Sequence, residues 1–173
     1  MPNWCDNTVM IKGDAGTVLT VKQMLQESGN VFSFSKLLPC PPALMNTSAP
    51  NRNEQSVAFN KAKFGAADWY DWCCENWGTK WNSSEAAITM DHTDQIAYSF
   101  QTAWAPPIPV YQKLAEMFPN INIFINYDEC GGDFSGWRYY QNGELSKEEE
   151  YNESFYSRRK MMEPDSDVWE WLE

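Results

Sequence analysis

The chain has 173 residues, 43% hydrophobic and 21% charged, which suits one folded domain with a substantial core and excludes global disorder. Acids outnumber bases 24 to 13, so a net charge of −11 repels phosphate and disfavours a duplex nucleic-acid partner. No apolar run nears the roughly 18 residues of a membrane span, residues 1–6 lack the regions of a secretion signal, and five scattered cysteines form no disulfide framework; the expectation is a cytoplasmic protein with no membrane partner.

In chain order, Trp4–Lys12 reads as a strand, with Cys5, Val9 and Ile11 on one face and Thr8 and Met10 on the other. Gly13-Asp14 ends it, and Asp14 or Thr17 caps a helix carrying Val18, Val21 and Leu25, closed by Gly29. Residues 31–34 read as extended, Pro39-Cys40-Pro41-Pro42 as a loop, and 43–53 as the least ordered internal stretch. Residues 66–77 predict a helix with Trp69, Trp72, Cys73 and Trp77 on one face and Asp68, Asp71 and Glu75 on the other, stopped by Gly78. Residues 86–91 and 95–103 predict a hairpin turning at His92-Thr93-Asp94. Pro106-Pro107 then opens a helix over 108–118 with Val110, Leu114 and Met117 on its core face. Residues 121–127 alternate as a strand, and 134–141 with Asn142-Gly143 add another strand and a turn. Residues 146–162 read as a polar helix and 163–173 as an acidic tail.

This order is a βαββαβ plan. The fold class is α+β: a ferredoxin-like antiparallel sheet packed on helices, with an inserted Trp-rich helix and a C-terminal extension. Residues 1–145 form the domain and 146–173 the extension. With the first and third strands taken as parallel, Asn3-Trp4 shares a sheet edge with Glu129-Cys130-Gly131, and Trp104 with its prolines falls at the opposite edge.

Five of the nine tryptophans fall in two short words, Trp69-Tyr70-Asp71-Trp72 running on to Trp77-Gly78-Thr79-Lys80-Trp81, and Thr102-Ala103-Trp104-Ala105-Pro106-Pro107. Their candidate roles stay double. Trp104, Pro106 and Pro107 either pack a strand-to-helix turn or form a stiff apolar step for a partner. Lys80 is either a cation over Trp77 or Trp81 or a reactive amine. Glu129, with Asn3 and Trp4 nearby, is either a structural clamp, hydrogen-bonded by Asn3 or Lys80, or a functional carboxylate. Trp169 and Trp171 in the acidic tail either order on a partner or fold back on the domain. A single histidine, His92, and no C-x-x-C give no metal site, and no cofactor-binding word is present.

Four words occur in order: Met1-Pro2-Asn3-Trp4-Cys5 with Asn7, then Trp77-Gly78-Thr79-Lys80-Trp81, Thr102-Ala103-Trp104 with Pro106-Pro107, and Tyr127 with Glu129 and Gly131. Over residues 1–145 they resemble the YubB-like ferredoxin-like family, found on bacteriophages, prophages and conjugative plasmids. Asn82 departs from that pattern, which often has Asp there. The resemblance implies a small α+β domain in a bacterial cell and supplies no reaction. The function expected is a non-catalytic acidic accessory module that binds a host bacterial protein, in counter-defence or nucleic-acid mimicry. The alternatives are a small hydrolase or transferase using Glu129 and Lys80, and single-strand nucleic-acid binding on the aromatic sheet.

Overall fold

The computed structural model describes residues 3–154. Six strands, β1 (Trp4–Lys12), β2 (Ser84–Asp91), β3 (Gln95–Ala103), β4 (Asn122–Glu129), β5 (Phe134–Gln141) and β6 (Glu144–Tyr151), form one sheet in the order β2-β3-β1-β4-β5-β6. Every neighbouring pair is antiparallel. The α+β ferredoxin-like architecture is therefore as the βαββαβ pattern indicates, extended by the β5–β6 hairpin.

Alternation along the strands sends Cys5, Val9, Ile11, Ile96, Tyr98, Phe100, Ile123, Ile125 and Tyr127 into one core with buried residues of α1 (Ala15–Leu25), α4 (Trp69–Trp77) and α5 (Ile108–Met117). Asp14 caps α1 through the backbone N–H groups of Gly16 and Thr17. In α5 the core face is Val110, Tyr111, Leu114 and Ala115, while Met117 is exposed, contrary to the expected face.

Three local expectations are corrected, and a helix that the sequence did not indicate follows residues 43–53. Residues 31–34 are not a strand: Phe32 and Phe34 are fully buried, and a 3-10 turn runs Phe34–Lys36. Side chains stand in for a strand partner, since Phe34 N donates to Asn82 Oδ1 at 2.8 Å and Ser83 Oγ donates to Phe32 O at 2.6 Å. The stretch 43–53 contains the end of a short helix, α2 (Pro42–Met45), and is followed by α3 (Glu54–Phe64), whose only buried residue is Asn60, so it carries no apolar period to read. The Trp-rich helix starts at Trp69 because Asp68 is its cap, accepting from Tyr70 N and Asp71 N. Residues 146–151 are strand, not helix: Asn142 and Gly143, at φ 56° and 82°, make the tight turn that folds β6 onto β5. Strand β6 crosses residue 145. The remainder of the expected helix and tail, with Trp169 and Trp171, lies outside the described residues. Among the described residues no helix is long and apolar enough to cross a membrane.

The strand directions overturn the expected separation of the two sheet edges. Because β1 is antiparallel to both β3 and β4, Trp4 pairs with Ala103 while Cys5 pairs with Glu129. Asn3-Trp4, Trp104 and Glu129 thus lie at one end of the sheet.

Candidate functional site

At that end β3 leaves the sheet through a locked turn. Trp104 N donates to Asn3 O at 2.9 Å, Thr102 Oγ1 to Ala105 O at 2.8 Å, and Thr79 Oγ1 to Ala103 O at 2.9 Å. The turn forces Trp104 to φ 72°, a left-handed conformation rare for a bulky residue. Gly78, at φ 77°, ends α4 against this turn; a Cβ there would meet Pro106 O at 3.2 Å and Pro109 Cδ at 3.1 Å. A glycine is what lets the following Lys80 and Trp81 approach Trp104.

The result is an aromatic ledge. Lys80 Nζ lies 3.8 Å from the Trp81 ring centroid and 4.0 Å from that of Trp104, so the ammonium is held between two indoles. Its aromatic partners are Trp81 and Trp104, not Trp77, whose Nε1 donates to Leu38 O inside the core. Trp4 extends the row beyond Trp81, with centroids 6.2 Å apart, and Tyr70 extends it beyond Trp104, at 6.5 Å. Trp81 and Trp104 remain 41% and 42% exposed. Pro106 is half-buried, and Pro107 is buried behind the ledge, where its carbonyl accepts from Val110 N at the start of α5. Beside the row a slot of about 330 Å³ is walled by Met45, Trp69, Cys73, Trp77, Lys80 and Trp81. Burial, with Cys40 beside it, pushes the Cys73 thiol up to about 12, so at neutral pH this wall is apolar rather than nucleophilic.

Glu129 is buried, and its donors are the backbone of its own turn: Gly131 N donates to Oε1 at 2.9 Å and Gly132 N donates to Oε2. Neither Asn3 nor Lys80, the donors expected from sequence, supplies these bonds. The Asn3 side chain instead packs over Gly131. With Lys80 stacked on tryptophans and Glu129 held by amides, the two share an edge without forming an acid–base pair.

The sequence reading missed what fixes the ledge to the core. Tyr111 OH donates to Asn7 Oδ1 at 2.8 Å, and Asn7 Nδ2 donates to Cys5 O and to Thr102 Oγ1, both at 2.9 Å. The signal was available: Asn7 shares strand parity with Cys5, Val9 and Ile11, and an amide at a core position needs partners. Asn82 is also explained, since it accepts from Phe34 N and donates to Ser33 Oγ at 2.9 Å; a carboxylate makes only the first bond.

Residues 76–168, covering Lys80, Trp104, Glu129 and the strands β2 to β6, match the family model described as the ferredoxin-like domain in Api92-like protein. The chain belongs to this family. A crystal structure of protein api92 from Yersinia pseudotuberculosis is similar at a TM-score of 0.59 and 11% identity, over 87% of this chain and 98% of that one, a likeness of fold. No curated protein matches the chain. The Api92-like match begins inside α4, so both words that build the ledge, from Trp77 to Trp81 and from Thr102 to Pro107, fall within it.

Proposed function

We propose that this Api92-like protein is a non-catalytic docking module that presents the Trp4–Trp81–Lys80–Trp104–Tyr70 ledge to a host bacterial protein. The observation that carries the reading is Trp104: a bulky side chain on left-handed backbone that is still 42% exposed. Such backbone costs about 1–3 kcal/mol, and burial of the ring in the chain's own core does not repay it. Exposed tryptophans next to an apolar slot are what interface anchors look like. The charge of −11 favours a basic partner surface, of the kind that holds nucleic acid, which fits mimicry or counter-defence.

A YubB-like accessory role on a bacteriophage, prophage or plasmid, exercised in the bacterial cytoplasm, belongs to the same proposal and rests on the order of the tryptophan, asparagine and proline words. The test is affinity capture from a bacterial host with the intact chain, beside the chain carrying Trp104→Ala and Lys80→Ala. Specific capture of one basic protein, reduced about tenfold or more by the double substitution in a protein of unchanged circular dichroism, supports the reading. Capture indifferent to both changes overturns it.

A further inference from the structure

Lys80 sits between Trp81 and Trp104 with little else to keep it there. Among the described residues its ammonium makes no ion pair and no hydrogen bond, so the two ring faces are all that holds it. The walls, by contrast, are fixed by contacts in which Lys80 has no part. Trp104 stands on left-handed backbone whose amide donates to Asn3 O, and Tyr70 lies edge-on to its ring. Trp81 leans on Trp4, and the next residue, Asn82, is tied to Ser33 and Phe34. Taking the ammonium away therefore leaves the gap standing. Beside it the slot walled by Met45, Trp69, Cys73 and Trp77 offers apolar space along which a lysine stem can lie while its head stays in water.

We propose, resting on the docking role above, that the gap between Trp81 and Trp104 receives an arginine side chain of a basic partner protein, and that Lys80 is the intramolecular cation which that arginine displaces. The dimensions suit the exchange. Nζ lies 3.8 Å and 4.0 Å from the two centroids, and a flat guanidinium stacks at about 3.5–4 Å from a ring, so the same gap takes one between both faces. Hydration sets its direction. A guanidinium is planar and weakly hydrated, whereas an ammonium is compact and strongly hydrated, so exchange puts the first between the rings and returns the second to water. The net charge of −11 draws cations towards the chain, and arginine meeting tryptophan is a recurrent anchor of protein interfaces. Lys80 thus keeps the two indoles covered until a better cation arrives.

The experiment titrates the isotopically labelled full chain with end-blocked Gly-Arg-Gly, beside the citrulline peptide, which keeps the shape and loses the charge. The indole N–H signals of Trp81 and Trp104 are expected to move with the arginine peptide and not with citrulline. In the same titration the ε-methylene signals of Lys80, displaced by the ring currents of both indoles, are expected to return to the values of a solvated lysine. Lys80→Ala vacates the gap and is expected to bind the arginine peptide about tenfold more tightly, while Trp104→Ala removes a wall and abolishes the shifts in either background. Lys113→Ala makes the same charge change on α5 and is expected to leave the affinity as it was. Lys80 signals that stay displaced at saturation overturn the exchange, and so does Lys80→Ala binding no tighter than Lys113→Ala. Tetramethylammonium binding as strongly as the arginine peptide overturns the assignment to arginine. Host-protein capture lost on Trp104→Ala but unchanged by Lys80→Ala overturns the exchange while leaving the ledge as a docking surface.

Discussion

Asn7 Nδ2 donates to Thr102 Oγ1 at 2.9 Å, and through this bond two words far apart in sequence act as one unit. Thr102 passes the constraint on to Ala105 O, and Asn7 receives the Tyr111 hydroxyl, so β1, β3 and α5 meet in a buried polar chain directly beneath Trp104. Thr102→Val keeps the shape and removes both bonds, leaving an amide N–H and a carbonyl unpaired. A loss of about 1–3 kcal/mol in urea unfolding is expected. Tyr111→Phe, which removes a single donor, is expected to cost less than Thr102→Val; the reverse order would mean that the turn is held by something other than this chain of bonds.

Trp104 separates strain from packing. Trp104→Gly removes the ring and relaxes the left-handed backbone, whereas Trp104→Ala removes the ring and keeps the strain. The glycine variant is expected to be more stable than the alanine variant by about 1 kcal/mol, with both weakened equally in partner capture. Equal melting temperatures for the two would show that the turn relaxes on losing the ring and that Trp104 holds no strain for a partner to offset.

Glu129 is expected to behave as a clamp. Its two carboxylate oxygens accept from the amides of Gly131 and Gly132, so Glu129→Gln exchanges one acceptor for an amide group that faces a donor. A destabilisation of about 1.5–3 kcal/mol in chemical unfolding is expected, the range for bonds to a charged acceptor. Partner capture is expected to survive, because the ledge is built from other residues. Loss of capture with intact stability would instead assign Glu129 to the site.

The parts of the fold legible in sequence are those with a clean period. Strands β1 and β3 emerge at their observed bounds because apolar residues alternate along them, with Asn7 the one amide on the core face of β1, and α4 emerges, three residues too long at its start, because Trp69, Trp72, Cys73 and Trp77 repeat on one face. Helix α3 is hidden for the opposite reason, with Asn60 its only buried residue. Strand β6 reads as a polar helix because an edge strand facing solvent shows no hydrophobic alternation; its partners are Arg138, paired with Glu148 and Glu150, and the turn at Asn142-Gly143. The site was half legible. The tryptophan words name Lys80, Trp81 and Trp104, but their union with Trp4 depends on strand direction, which periodicity does not encode. Taking β1 and β3 as parallel split in thought what the antiparallel pairing joins.

Cys130 offers a pH test of the same sheet end. Its thiol is exposed yet pushed up to about 11, by local desolvation first and then by Asp128, whose Oδ2 accepts from Sγ at 3.5 Å, with Asp6 and Glu129 adding negative charge. The reactive species is the thiolate, so a raised pKa slows alkylation at any pH below it. Relative to a thiol at its ordinary value of 9.0, one at about 11 holds roughly a hundredfold less thiolate at pH 8. Iodoacetamide is therefore expected to label Cys130 slowly at pH 8, with a rate that climbs about tenfold per pH unit until it levels off near 11. Asp128→Asn removes a negative neighbour, lowers the thiol pKa and is expected to speed labelling at pH 8 while leaving the plateau rate unchanged. Mass spectrometry of the peptide carrying Cys130 reads the rate directly. A plateau near pH 8 to 9 in the unsubstituted chain would mean that the Asp6–Asp128–Glu129 field does not reach the thiol.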